Sequence, residues 1–132
     1  MIDVTCDRVD LEVVHRYLSE ESYWAKGITR ELVERSIAHS LPFSAFDGDA
    51  LVGFARVITD RATFAYLADV FVLPSHRGRG ISKLLMTAIL AHPELQGLRR
   101  WSLVTRDAQA LYAQFGFTAL DLPERHMMRR LA

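Results

Sequence analysis

Leu73–Leu85 reads LPSHRGRGISKLL: a proline, two glycines one residue apart with Arg77 and Arg79 around them, then the start of an apolar repeat. Just upstream, Tyr66–Leu73 (YLADVFVL) is nearly all apolar, as a strand buried on both faces would be. Downstream, Ile81, Leu84, Leu85, Ala88 and Ile89 recur at i, i+3, i+4, i+7 and i+8, which predicts an amphipathic helix ending by His92-Pro93. Trp101–Thr105 reads as the next strand. Strand, glycine loop, helix and strand make a βαβ unit, and the loop falls at the helix N-terminus. Unpaired amides and the positive end of the helix dipole hold phosphate oxygens at such a place, and glycines let the backbone come close. Arg77 and Arg79 can add charge-assisted contacts. The stretch therefore reads as a diphosphate cradle. It lacks GxxxxGK[ST], and GRGISK misses the third glycine of the dinucleotide fingerprint, so neither of those nucleotide sites is supported. On its own, a GRG is equally compatible with a basic turn whose glycines only satisfy backbone geometry.

Outward from this unit, Phe43–Phe46 and Leu51–Thr59 are β-rich runs flanking Asp47-Gly48-Asp49, which predicts a hairpin. Leu11, Val14, His15 and Leu18 fall at helical spacing, so Asp3–Ser19 is read as a first helix. A second should follow Thr29 as N-cap and stop before Pro42, with Leu32, Val33 and Ile37 facing inward. Between the two lies SYWAKGI (Ser22–Ile28), aromatic and glycine-punctuated.

At 132 residues the chain fits one domain, 1–132, with a single core. Lys plus Arg and Asp plus Glu number 16 each, so no excess charge draws it to nucleic acid or to an acidic membrane surface. Arg99-Arg100 and Arg129-Arg130 lack the interleaved aromatics of a nucleic-acid site. The start, MIDVTCDRVD, has no signal-peptide pattern, and no apolar run approaches the roughly 20 residues of a membrane span, so the expected location is cytoplasmic. Cys6 is the only cysteine and reads as a structural thiol; the five histidines are scattered, with no metal-site spacing.

RGRGIS (Arg77–Ser82) resembles the pyrophosphate signature of the GNAT acetyltransferase family, an Arg or Gln followed three residues on by Gly and two later by Gly or Ala; Ser82 departs from it at the last place. DAQALYAQFGF (Asp107–Phe117) is similar to the family's second signature, a short helix carrying a tyrosine and closing on Gly-Phe. The resemblance extends to the hairpin and the strand order. It implies an α/β fold with a mixed twisted sheet, in which a central parallel pair, Tyr66–Leu73 and Trp101–Thr105, splays apart between flanking helices.

Acetyl-CoA, as co-substrate, would enter that cleft. The resemblance implies that its pantetheine arm pairs with backbone around Phe71 and Val72, that Arg77, Gly78, Arg79, Gly80, Ile81 and Ser82 hold the pyrophosphate, and that Asp107 and Tyr112 lie on the same side. It implies N-acyl transfer by direct attack of a neutral amine on the thioester, without metal. Tyr112 stands where the family carries the tyrosine that protonates the leaving thiolate; Ala108, Leu111, Tyr112 and Phe115 also form one stripe, so packing is the competing reading. An amine with a pKa near ~10 needs a base at neutral pH. Asp69, Glu20 and Glu21 are the candidates, each equally readable as a paired or solvated carboxylate. Tyr23 and Trp24 would line the acceptor side or else cap the core. The partner is a small-molecule or peptide amine, and a homodimer is compatible with the sequence. A CoA-binding regulatory or sensor module would keep RGRGIS without needing an acid, a base or an acceptor pocket.

Overall fold

The computed structural model describes residues 1–130. Five strands form one mixed sheet in the order β1-β2-β3-β4-β5: β1 (Ile2–Thr5), β2 (Leu41–Asp47), β3 (Ala50–Thr59), β4 (Phe64–Val72) and β5 (Arg100–Leu103). Neighbours from β1 through β4 pair antiparallel, and β4 pairs with β5 parallel. The four helices are α1 (Leu11–Arg16), continued by a π-helical turn (Tyr17–Glu21), then α2 (Arg30–Ala38), α3 (Ile81–Ala91) and α4 (Gln109–Ala113). The mixed sheet with flanking helices is the expected fold class. Among the described residues, however, β5 is the outermost strand, so the parallel pair lies at one side of the sheet rather than in its centre.

Strand alternation divides the core in two. On one face Leu85, Met86 and Ile89 of α3 pack on Phe43, Ala55 and Val57. On the other Val14, Leu18 and Val33 pack on Phe54 and Phe71. The βαβ reading holds because Ile81, Leu85 and Ile89 of the eleven-residue α3 are buried as one apolar stripe; Met86 joins them, whereas Leu84 is exposed.

At the N-terminus the long first helix is replaced by two elements. Ile2–Thr5 pairs as β1 with Ser44–Asp47, and the helix starts only at Leu11, where the Asp10 carboxylate accepts a hydrogen bond from the Val13 amide. A four-residue strand is too short for its alternation to outweigh the helical spacing that follows it. Thr29 caps α2 as expected, accepting from the Leu32 amide, and Val33 is fully buried; Leu32 instead faces solvent. Cys6 is half-buried against the α3 core, and burial, then Asp7 and Glu94, push its thiol up, so it stays protonated and unreactive at neutral pH. No helix among the described residues is long and apolar enough to cross a membrane.

The β3–β4 turn is organised by Asp60. Its Oδ1 accepts from the amides of Ala62, Thr63 and Phe64, and its Oδ2 accepts from the Thr63 hydroxyl at 2.6 Å. These bonds hold its carboxyl far below the usual carboxylate range. Because the folded state depresses this pKa, the stabilisation is complete above the unfolded value near ~3.9 and fades as pH falls further. Asp60→Ala should therefore lower the melting temperature at pH 7, and the gap from wild type should shrink steadily below about pH 4 in a thermal-melt series.

Candidate active site

Four consecutive pairs join β4 to β5, from Phe64–Arg100 to Leu67–Leu103; β4 then runs on to Val72 while β5 stops. The strands part because β4 is bulged at that point. Its register with β3 slips between Phe54–Phe71 and Arg56–Ala68, and Asp69 adopts a left-handed φ of 54°. A bulge bends a strand and ends regular pairing, and Asp is among the few side chains that tolerate this conformation.

Beyond the bulge, the phase of the ladder shows which backbone groups face the gap. The Leu73 amide donates to the Val52 carbonyl, and antiparallel pairs alternate, so Phe71, opposite Phe54, directs its backbone groups to β3. Val72 directs its own to the side that β5 has left. Of the two residues expected to pair with the pantetheine arm, the structure turns Val72 toward the gap and Phe71 away from it. The Phe71 ring instead stacks on Tyr17, with centroids 4.1 Å apart.

The glycine loop closes one end of this gap. Gly78 and Gly80 have φ of +77° and +76°, and nothing lies within 4 Å of where a Cβ would be. Gly80 is the N-cap of α3 without a side-chain cap bond, and the first intrahelical bond runs from the Leu84 amide to the Gly80 carbonyl. The amides of Ile81, Ser82 and Lys83 are thus left over at the positive helix end. A cavity of about 220 Å³ opens over them, lined by Val72, Arg77, Gly78, Gly80 and Ser82, with Leu111 from the region of α4.

The two arginines differ. Arg77 donates from Nε to the Val72 carbonyl and from Nη2 to the Tyr17 hydroxyl, both at 3.0 Å, and so ties the loop to β4 and to the π-helical turn after α1. Arg79 forms no ion pair among the described residues and is exposed. A second brace comes from His76, whose Nε2 lies 2.9 Å from Asp47 Oδ2 and whose Nδ1 lies 2.8 Å from Ser75 Oγ. The hydrogen bond from His76 holds the Asp47 carboxyl below its usual range.

At the vertex of the splay, Asp69 is pinned from two sides. Its Oδ2 accepts from Arg56 Nε at 2.6 Å and its Oδ1 from Trp24 Nε1 at 2.8 Å, and the Arg56 and Asp69 side chains are only 16% and 13% exposed. Trp24 meets Tyr23 edge to face, and the Tyr23 hydroxyl accepts from the Arg106 amide while the Arg106 guanidinium lies 3.9 Å over its ring. The SYWAKGI loop therefore crosses the mouth of the gap, held to β4 by one ring and to the segment after β5 by the other. Both rings are about half exposed, so they do not cap the core.

Tyr112 lies on α4 with its ring buried and meeting Phe117 at 6.0 Å. Its hydroxyl has no hydrogen-bond partner among the described residues, yet it is not sealed from solvent. Burial, then the neighbouring Tyr23 phenol, push its pKa up. Asp107 precedes α4 on the surface, 3.9 Å from the Arg106 guanidinium. Glu20 and Glu21 are exposed on the π-helical turn. Sequence reasoning missed Arg56, Tyr17 and His76; only Arg56 left a signal, a lone charge inside the apolar strand LVGFARVIT.

The family model of the GNAT acetyltransferases matches residues 11–117. A Xanthomonas campestris pv. campestris protein assigned to the same family has a crystal structure that is 54% identical with a TM-score of 0.96, covering 99% of this chain and 94% of that one. The mycothiol acetyltransferase of Streptomyces avermitilis is 37% identical over 99 residues, 75% of this chain and 31% of that protein. This chain spans about a third of the length of the curated relatives it matches. At 21% identity, the aminoglycoside acetyltransferase AAC(6')-Iy, solved with CoA-S-monomethyl-acetylneamine, shares the fold with a TM-score of 0.71 over 100% of this chain and 99% of that one. With both signatures inside the matched span, and the glycine loop and splayed strands in place, the chain belongs to the GNAT acetyltransferase family.

Proposed function

We propose that the protein transfers the acetyl group of acetyl-CoA to a primary amine by direct attack on the thioester. The observation that carries this reading is the pairing of two open features. The free amides at the start of α3 suit a pyrophosphate, and the Val72 amide, turned to the gap while its carbonyl is held by Arg77, suits a carbonyl of the arm that follows it. Arg79 adds charge at the phosphates, while Arg77 holds the loop in shape through Val72 and Tyr17. The amine nitrogen bonds to the acetyl carbon as the carbon–sulfur bond breaks, with a backbone amide of β4 beyond the bulge donating to the developing oxyanion. Tyr112 gives its proton to the departing thiolate; its raised pKa keeps that proton in place at neutral pH.

Asp69 suits an anchoring role better than that of base. Both of its oxygens already accept short hydrogen bonds, and their effect is to fix Trp24 at the cleft mouth. The amine then reaches the site deprotonated or loses its proton to solvent. Nothing in the comparisons favours the regulatory-module reading over an enzyme.

The test is a screen of acetyl-CoA with small amines, amino acids and peptides, reading free thiol and the mass gain of one acetyl group. Thiol release that depends on an amine, with acetylated product, is expected; no amine-dependent release across the panel would overturn the reading. Within it, Trp24→Ala should raise the acceptor KM about 10-fold while the Kd for acetyl-CoA stays nearly constant. Equal loss of acetyl-CoA affinity would remove Trp24 from the acceptor side.

A further inference from the structure

Part of the sheet face beyond Trp24 is left open by α1 and α2. Ala55, Val57, Ala65 and Leu67 point into the α3 core, so alternation sends Arg56 and Ile58 of β3 and Tyr66 of β4 to the opposite face. On β5, Trp101 and Leu103 pack toward α3 and Ser102 points with Tyr66. The register sets Arg56 beside Ala68, Ile58 beside Tyr66, and Tyr66 beside Ser102. Ile58 is 42% exposed there.

The polar atoms of this patch are unmatched. Arg56 uses Nε on Asp69, but neither η-nitrogen makes a hydrogen bond among the described residues, and neither do the hydroxyls of Tyr66 and Ser102. None of these atoms is sealed in the interior. Asp69, the nearby acceptor, has both oxygens occupied. Three adjacent strands thus offer a guanidinium fork and two hydroxyls, all able to donate, beside the aromatic pair at the cleft mouth.

We propose that this patch is a carboxylate subsite and that the acceptor is a small amine carrying a carboxylate, its apolar body lying against Trp24 and Ile58. The proposal rests on the acetyl-transfer reading and names its substrate class. The two η-nitrogens match a planar pair of oxygens. One guanidinium already shared with Asp69 suits a monoanion better than the dianion of a phosphate.

The experiment measures product binding by calorimetry with CoA present, which removes differences in amine basicity. The probes are N-acetylated α-, β- and γ-amino acids with apolar side chains, each paired with its carboxamide. At least one acid should bind about 10-fold tighter than its amide. Arg56→Lys keeps a cation for Asp69 but loses the fork, and Tyr66→Phe removes one donor without touching Asp69. Each should bring the acid-to-amide ratio toward one with CoA affinity unchanged, and Tyr66→Phe decides the matter if Arg56→Lys does not fold. Equal or weaker binding of the acids, no binding of any probe, or a ratio that survives these substitutions overturns the proposal. Amine-dependent thiol release from acetyl-CoA across the mixed panel of amines tests the acetyl-transfer reading by itself, so the two failures are distinguishable.

Discussion

Gly80→Asp should abolish acetyl-CoA binding while leaving the protein folded. At φ +76° an L side chain is strained by roughly 1 kcal/mol, though Asp is one of the residues that visit this region. A carboxylate at the N-terminus of α3 recovers a comparable amount from the helix dipole, about 0.3–1 kcal/mol, so the melting temperature should hardly move. The same carboxylate occupies the space where the pyrophosphate is proposed to sit, since nothing else lies within 4 Å of the Gly80 Cβ position. Two like charges about 4 Å apart at an effective dielectric of about 20 repel by roughly 4 kcal/mol. Allowing for solvent screening, the Kd should rise at least ~10²-fold, close to 2.7 kcal/mol. Gly97→Asp is the control: its glycine has a similar φ of +73° and the same open surroundings, but it lies past the far end of α3. Calorimetry that finds both variants binding like wild type would remove the loop from the site.

Tyr112→Phe should lower kcat by about 10²-fold with stability and acetyl-CoA affinity nearly unchanged. The buried ring packs on Phe117 and is kept by phenylalanine, while the hydroxyl it loses has no partner among the described residues. Removing it leaves no buried group unpaired, so no large stability penalty is expected. The proton bookkeeping gives a second signature. The raised pKa keeps the phenol protonated through the ordinary tyrosine range near ~10, so kcat should lose its acid only above that range. A fully active Tyr112→Phe would show that the thiolate, with a reference pKa near ~8.5, departs without help.

The parts of the fold that could be read from the sequence are those that announce themselves locally. The α3 stripe repeats over three turns, Thr29 caps α2 by its own hydroxyl, and Asp47-Gly48-Asp49 turns the β2–β3 hairpin. The GRG spacing marked a special turn, and Gly78 and Gly80 both adopt the left-handed φ that glycine takes without strain. What stayed hidden depends on residues distant in the chain. Asp69 looks like an isolated carboxylate until the bulge and its two donors, Arg56 and Trp24, are brought to it from 13 and 45 residues away. The bond from Arg77 Nη2 to Tyr17, 60 residues upstream, likewise leaves no local trace. β1 was masked because four residues carry too little pattern beside a longer helical one. Ser102 and Tyr66 gain meaning only from the register that sets them side by side.

Hydrogen exchange read by mass spectrometry, with and without saturating acetyl-CoA, is the most direct test of where the co-substrate lies. The free amides of Ile81, Ser82 and Lys83, the glycine loop and the Val72 amide should all gain protection on binding. Protection should be weak in a cavity of about 820 Å³ between Arg99–Trp101 and Phe115–Leu122. Slowed exchange across 72–83 is the result predicted here. Bound acetyl-CoA that leaves those amides unchanged, or that protects the segment around Phe117–His126 instead, would contradict it.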